Sequence, residues 1–362
     1  MVVLLGLSVA LTLLSIWIVV PPWNRPSLIA AVISIECSPY LLLLNAGALV
    51  AILRAPRSGL RKAAAVLAVA NLSLSALPPF LLFTQTKDAA ATFSSLAAAQ
   101  SRGALRETDI PVVLGQRRTA MHAYLPDSLR PAPIVAAVYG GAWRNGSPSN
   151  DAMLDRALAA RGYAVFAFDY RHSPAVRFPS ALEDVKAQLR FIERKASEYH
   201  ADPNRIAIVG HSSGAELALL AAYGSDRAVR AVVSYSGPID LAQAYRFPPH
   251  PDPIDVRAIL RDYIGGAPSG SAERYRLASP IAYVRKGLPP TLLIYGARDH
   301  VVKIEAATAL RDALESAGTK VTLIRLPWAE HAFENIPFGL HAPVVLYAVE
   351  RFLDSAVKAK RS

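Results

Sequence analysis

The chain has 362 residues, 52% of them hydrophobic, a formal net charge of +11 and a single cysteine, Cys37. One cysteine excludes an intrachain disulfide and any cysteine-rich metal site. The Lys and Arg residues are scattered, with no basic run beyond the Lys358-Ala359-Lys360-Arg361 tail, so the charge reads as attraction to an anionic membrane surface, and nucleic acid is not expected as a partner.

In chain order, residues 2–20 (VVLLGLSVALTLLSIWIVV) are apolar and uncharged, and about 20 such residues let a helix cross the hydrocarbon core. No Lys or Arg precedes the run and Pro21-Pro22-Trp23 is not a small-residue cleavage site, which favours an anchor over a signal peptide. A second apolar stretch, 28–53, is broken by Glu36, Cys37, Ser38 and Pro39 and suits one long kinked span or a shorter one from Pro39 onward. Glu36 is read as an interfacial carboxylate that snorkels, with a functional intramembrane role as the alternative. A third stretch, 63–83, carries Asn71 and Pro78-Pro79, which membrane helices tolerate where neighbouring groups satisfy the freed backbone. Residues 1–85 are thus expected to form a bundle of about three transmembrane helices. Arg54, Arg57, Arg61 and Lys62 lie between the second and third. Short basic loops stay cytoplasmic, which puts everything after Phe83 on the extracytoplasmic side of an inner membrane or its equivalent.

Residues 86–109, rich in Ala, Ser and Thr, read as a linker, and 110–362 as the main domain. From Pro111 the pattern alternates. Strand-like runs occur at 133–140, 163–170, 205–211, 231–237, 291–296 and 320–327, with helix-like segments near 150–161, 181–199, 213–223, 303–317 and 341–357. Continuous apolar strands alternating with helices imply a parallel sheet covered on both faces, with ligands beyond the carboxyl ends of the strands.

The segment Gly210-His211-Ser212-Ser213-Gly214 joins the strand-like RIAIVGH to the helix-like AELALLAAYG, the strand-turn-helix context of a G-x-S-x-G nucleophile elbow. A serine hydroxyl needs a general base, itself oriented by a carboxylate, in the order Ser, acid, His. Asp299 follows the strand TLLIYG, and His331 follows the last strand, so both emerge at the same sheet edge as Ser212. His300, His211, His172 and His250 are rival bases, but only His331 follows the last strand. Tyr139-Gly140-Gly141-Ala142-Trp143 follows the strand PIVAAVYG. The backbone N–H groups of Gly141 and Ala142, with that of Ser213, are the expected oxyanion hole.

With these motifs in view, residues 111–357 resemble the esterase and lipase branch of α/β-hydrolases related to hormone-sensitive lipase and to small acyl esterases. Asp169-Tyr170-Arg171, Pro174, Phe178-Pro179-Ser180-Ala181-Leu182-Glu183-Asp184 and Ala201-Asp202-Pro203-Asn204-Arg205-Ile206 are similar to segments of that family. The resemblance implies an α/β-hydrolase fold with a mostly parallel eight-stranded sheet. Where that family has His-Gly-Gly-Gly, this chain has Tyr139-Gly140-Gly141-Ala142. The membrane-anchored N-terminus and the Gly-Gly-Ala-Trp segment are also similar to isoprenylcysteine methylesterase-like hydrolases, which points to a hydrophobic or lipid-borne ester. An insertion at about 238–288 is expected to wall the substrate site. The expected activity is a membrane-anchored serine carboxylesterase acting on a small-molecule or lipid ester. An amidase or peptidase with the same triad and a non-catalytic membrane binding protein are the alternatives. No metal-binding or phosphate-loop pattern occurs, so no cofactor is expected, and the sequence leaves the oligomeric state open.

Overall fold

Every strand of the sheet reads as an apolar run or an alternating one, and the computed structural model, which describes residues 1–85, 105–128, 130–224 and 229–358, assembles eight of them into one sheet. They are β1 (Leu105–Leu114), β2 (Arg117–Pro126), β3 (Ala132–Val138), β4 (Ala164–Phe168), β5 (Ala201–His211), β6 (Val229–Tyr235), β7 (Thr291–Gly296) and β8 (Val321–Leu326), in the order β1-β2-β4-β3-β5-β6-β7-β8. β1 and β2 form an antiparallel hairpin, β2 pairs antiparallel with β4, and every later pairing is parallel. This is the α/β-hydrolase fold. β1 begins inside the expected linker, because Arg106, Glu107 and Asp109 are exposed on an edge strand whose solvent face needs no apolar residues. The rest of the expected linker, 86–104, and the tail from 359 lie outside the described residues.

The two-residue period of the strands builds two cores. Ile134, Ala136, Val138, Ile206 and Ile208 face one side, and Val135, Ala137, Ala207 and Val209 the other. Among the described residues four helices precede the sheet: α1 (Val2–Ser15, prolonged by a 3₁₀ turn to Ile18), α2 (Arg25–Glu36), α3 (Ser38–Arg54) and α4 (Gly59–Gln85). The first core is covered by α6 (Ser180–Lys195), α7 (Ser213–Tyr223) and α11 (Ile304–Ser316), the second by α5 (Ala152–Ala159) and α12 (Ala342–Leu353). The segment between β6 and β7 carries α8 (Leu241–Arg246), α9 (Val256–Ile264) and α10 (Pro268–Leu277).

The N-terminal helices differ in detail from the expected three spans. Among the described residues only α4 is by itself long and apolar enough to cross a membrane. The stretch expected over 28–53 is broken at Cys37, where α2 and α3 meet at 72°, and the first apolar helix is short, Val2–Ile18. The break has a local cause, since Pro39 cannot donate to the backbone carbonyl a turn before it. Glu36 does not snorkel: it is wholly buried against His341 of the hydrolase domain. The unit is apolar outside and polar inside. Among the described residues the exposed large hydrophobic side chains lie before residue 84, apart from Val113, Met153, Phe247 and Phe338. Within it, Asn45 donates to Ser75 Oγ (3.0 Å) and Asn71 to the Ser8 carbonyl (3.1 Å).

Candidate active site

At the carboxyl end of β5 the chain must reverse into α7 within one residue. Ser212 takes φ 48° and ψ −120°, a conformation costly for a residue with a Cβ, and is held by its N–H donating to the Tyr235 carbonyl (2.8 Å). The flanking glycines are sterically required. A Cβ on Gly210 would sit 2.4 Å from the Gly214 carbonyl oxygen, and one on Gly214 would sit 2.2 Å from that of Val138.

Three side chains from separate loops meet here. Ser212 Oγ lies 2.9 Å from His331 Nε2, and His331 Nδ1 lies 2.8 Å from Asp299 Oδ2. Asp299 divides its oxygens: Oδ1 accepts from the N–H groups of Val301 and Val302 (2.8 Å each), leaving Oδ2 for the imidazole. It does not cap α11, whose N-cap is Lys303. Burial disfavours the charged form of His331, but the charge and hydrogen bond of Asp299 outweigh it and raise the imidazole above its ordinary range. The rival histidines are otherwise engaged. His172 pairs with the Tyr139 hydroxyl, His300 with Glu330, and His250 is exposed in the insertion. His211 lies behind the elbow, stacked on Tyr235; burial opposes its charged form, but Asp151 and Glu334 push it up to about 9.

After β3, Gly141, Ala142 and Trp143 have φ values of 150°, 55° and 56°, which turn the peptide groups out of any ladder. A Cβ on Gly141 would lie 1.9 Å from the Asn145 carbonyl oxygen. Ala142, Trp143, Ser212 and Ser213 line a cavity of about 630 Å³. The insertion supplies much of its wall, including Ile239, Phe247, Ile254, Val256 and Ile259, and the remainder comes from the Ala297–Ala306 segment.

Residues 121–314 match the BD-FAE family, more than half of the chain. The chain belongs to the BD-FAE family. It is 30% identical over 269 residues to esterase LipQ of Mycobacterium tuberculosis, covering 70% of this chain and 63% of LipQ. It is 29% identical over 227 residues to a probable isoprenylcysteine alpha-carbonyl methylesterase of Oryza sativa subsp. japonica, covering 58% of this chain and 54% of the relative. The chain thus spans less than two thirds of the length of these relatives. Among solved structures, an esterase from Pyrobaculum calidifontis superposes with a TM-score of 0.63 at 22% identity, over 76% of this chain and 93% of that one. Carboxyl esterase 2 of Tuber melanosporum gives 0.61 at 22%, over 71% and 89%.

Three features of this BD-FAE member escape a reading of the sequence. Glu330, buried beside the candidate base, accepts from the His300 and His331 N–H groups (2.7 and 2.9 Å) and pairs with His300 Nδ1, tying the acid loop to the histidine loop. Its adjacency to His331 was the available signal. Glu216 is an isolated, buried carboxyl in the otherwise apolar α7. It accepts from Trp143 Nε1 (3.1 Å) and the Tyr263 hydroxyl (3.3 Å), and burial raises it well above the usual carboxyl range. Tyr139, where the resembling family has histidine, donates its hydroxyl to Asp169 Oδ1 (2.8 Å), so the Asp169-Tyr170-Arg171 segment braces the glycine turn.

Proposed function

We propose that the protein is a membrane-anchored serine carboxylesterase. The observation that carries this reading is the continuous hydrogen-bonded series Ser212 Oγ, His331, Asp299 Oδ2, of which Ser212 and Asp299 line an apolar-walled cavity. In this reading Ser212 Oγ attacks the ester carbonyl carbon while His331 Nε2 takes its proton, and Asp299 fixes the tautomer that leaves Nε2 free to accept. Charge on the carbonyl oxygen is met by the backbone N–H groups of Ala142 and Ser213, with Gly141 beside them. Donors of this kind are each worth about 3–4 kcal/mol in the transition state. The imidazolium returns the proton to the leaving alcohol, and water, activated by the same ring, releases the acid from the acyl-enzyme. Similarity to an esterase and to a probable methylesterase favours an ester over an amide. An apolar acyl group suits a wall built from Ile239, Phe247, Ile254 and Val256.

Residues 1–85 support the anchor by their inverted polarity. Small and polar side chains pack between helices while Leu, Val and Phe face outward, the arrangement expected where the solvent is lipid. Met1 and Leu4 pack with Ile52 and Ala64, far along the helices from the contacts that Ile18 and Leu82 make near the hydrolase domain. Arg54, Arg57, Arg61 and Lys62 therefore lie at the end away from that domain, which favours an extracytoplasmic catalytic site.

The test is hydrolysis of p-nitrophenyl butyrate by the full chain in detergent. Ser212→Ala is expected to abolish turnover and labelling by a fluorophosphonate probe. Turnover equal to the parent's would remove the assignment, and comparison with the matched butyramide separates esterase from amidase.

A further inference from the structure

We infer that the N-terminal helices are a positioning part of the catalytic centre, because they fasten the two loops that carry Asp299 and His331. This rests on the triad proposed above. Arg298, the residue before Asp299, donates Nη1 to the Ile18 carbonyl (2.5 Å) and Nη2 to the Val19 carbonyl (2.8 Å), at the carboxyl end of the first helix. That end carries unpaired carbonyls and the negative pole of the helix, a natural seat for a guanidinium. Trp328, three residues before His331, donates Nε1 to the same Ile18 carbonyl (2.8 Å) and lies under the Arg298 guanidinium, 4.6 Å from ring centroid to carbon. The two loops thus meet on one peptide of the N-terminal unit.

A second fastening reaches the same loop from α2. Glu36 accepts from His341 Nδ1 (2.7 Å) and from the His341 N–H (3.0 Å), and His341 Nε2 in turn faces the Pro327 carbonyl (3.0 Å), next to Trp328. Both ring nitrogens of His341 face oxygens, so the ring bridges Glu36 to Pro327. The series is buried throughout, Glu36 and His341 being 0% exposed. Pinning is needed because the loop is strained: Trp328 and Ala332 both have φ 63°, a conformation that non-glycine residues keep only when their surroundings enforce it. Arg298 N–H and Ala297 N–H also donate to Ala329 and Leu326, so a shift at Trp328 passes directly to the acid loop. A small displacement of base from acid or nucleophile lowers turnover without altering the pocket wall.

The experiment compares Trp328→Phe, which keeps the ring and loses the N–H, and Glu36→Gln with the parent in the full chain in detergent, using p-nitrophenyl butyrate and the rate of fluorophosphonate labelling. Tyr40→Phe serves as a control, since it removes an interface bond to the Phe338 carbonyl (3.1 Å), beyond His331 in the same connection, that involves neither Arg298 nor the Pro327–Trp328 pair. Variants are scored only after their circular dichroism matches the parent. In Trp328→Phe and Glu36→Gln, kcat and labelling rate are expected to fall about fivefold or more with KM within about twofold, while Tyr40→Phe is unchanged. Partial rescue is expected in Arg298→Lys relative to Arg298→Ala, because an ammonium still donates to one carbonyl. Parental kcat in Trp328→Phe and Glu36→Gln, or an equal loss in Tyr40→Phe, overturns the inference while Ser212→Ala remains inactive. An active Ser212→Ala instead overturns the triad, and the inference with it.

Discussion

Ser212, His331 and Asp299 each sit where local geometry leaves little freedom: a positive-φ turn, a buried loop and a carboxylate with one oxygen already committed to two backbone N–H groups. The electrostatics of the pair give a pH prediction with a definite sign. In the proposed triad only the neutral His331 ring can take the serine proton, so kcat/KM is expected to rise with pH through the His331 pKa. Because Asp299 raises that pKa despite burial, the midpoint is expected above the ordinary imidazole value of about 6.5. In Asp299→Asn the midpoint should move down while kcat falls by about 10³- to 10⁴-fold. A pH–rate profile of parent and variant checks both, and an unmoved midpoint would separate His331 from Asp299.

At the scale of elements, the sheet supplies the platform and the loops at its carboxyl edge carry the proposed triad. The insertion between β6 and β7 decides the cavity, since α8 and α9 bring Ala244, Ile259 and Leu260 to its wall. Filling it should change selectivity rather than chemistry. Ala244→Trp is expected to keep acetate ester hydrolysis within about threefold and to lower kcat/KM for octanoate esters by about tenfold or more, as lost pocket volume excludes the longer chain. An acyl-length series measures this, and equal losses for acetate and octanoate would argue that α8 does not bound the acyl site.

For the whole molecule, the basic turn between α3 and α4 and the hydrolase domain lie at opposite ends of the helical unit. In a Cys37→Ser background, Arg57→Cys is expected to react with an impermeant maleimide only after cells are permeabilised, whereas Val113→Cys, exposed on β1, reacts in intact spheroplasts. The reverse pattern would invert the proposed orientation. Labelling of both in intact spheroplasts would argue against spanning altogether.

The elbow, the acid and base loops and the strand and helix alternation were legible in the sequence because each is a short-range pattern: fixed glycine spacing, a residue type directly after a strand, an apolar period. The β1 edge strand was not, since a solvent-facing strand need not look apolar, and at the Glu36–Pro39 interruption the kink was legible but its 72° angle was not, because a bend leaves hydropathy unchanged. Glu36 shows the difference most clearly. Its sequence neighbours are apolar, and with no partner in view an isolated carboxylate belongs at an interface. The partner that keeps it buried, His341, is 305 residues away, and only the packing of the helices on the loops beside Asp299 and His331 brings the two together. The sequence by itself determined the fold and which residues carry candidate chemistry. Tertiary structure decided what holds them in place, because the fastening contacts join segments distant in sequence.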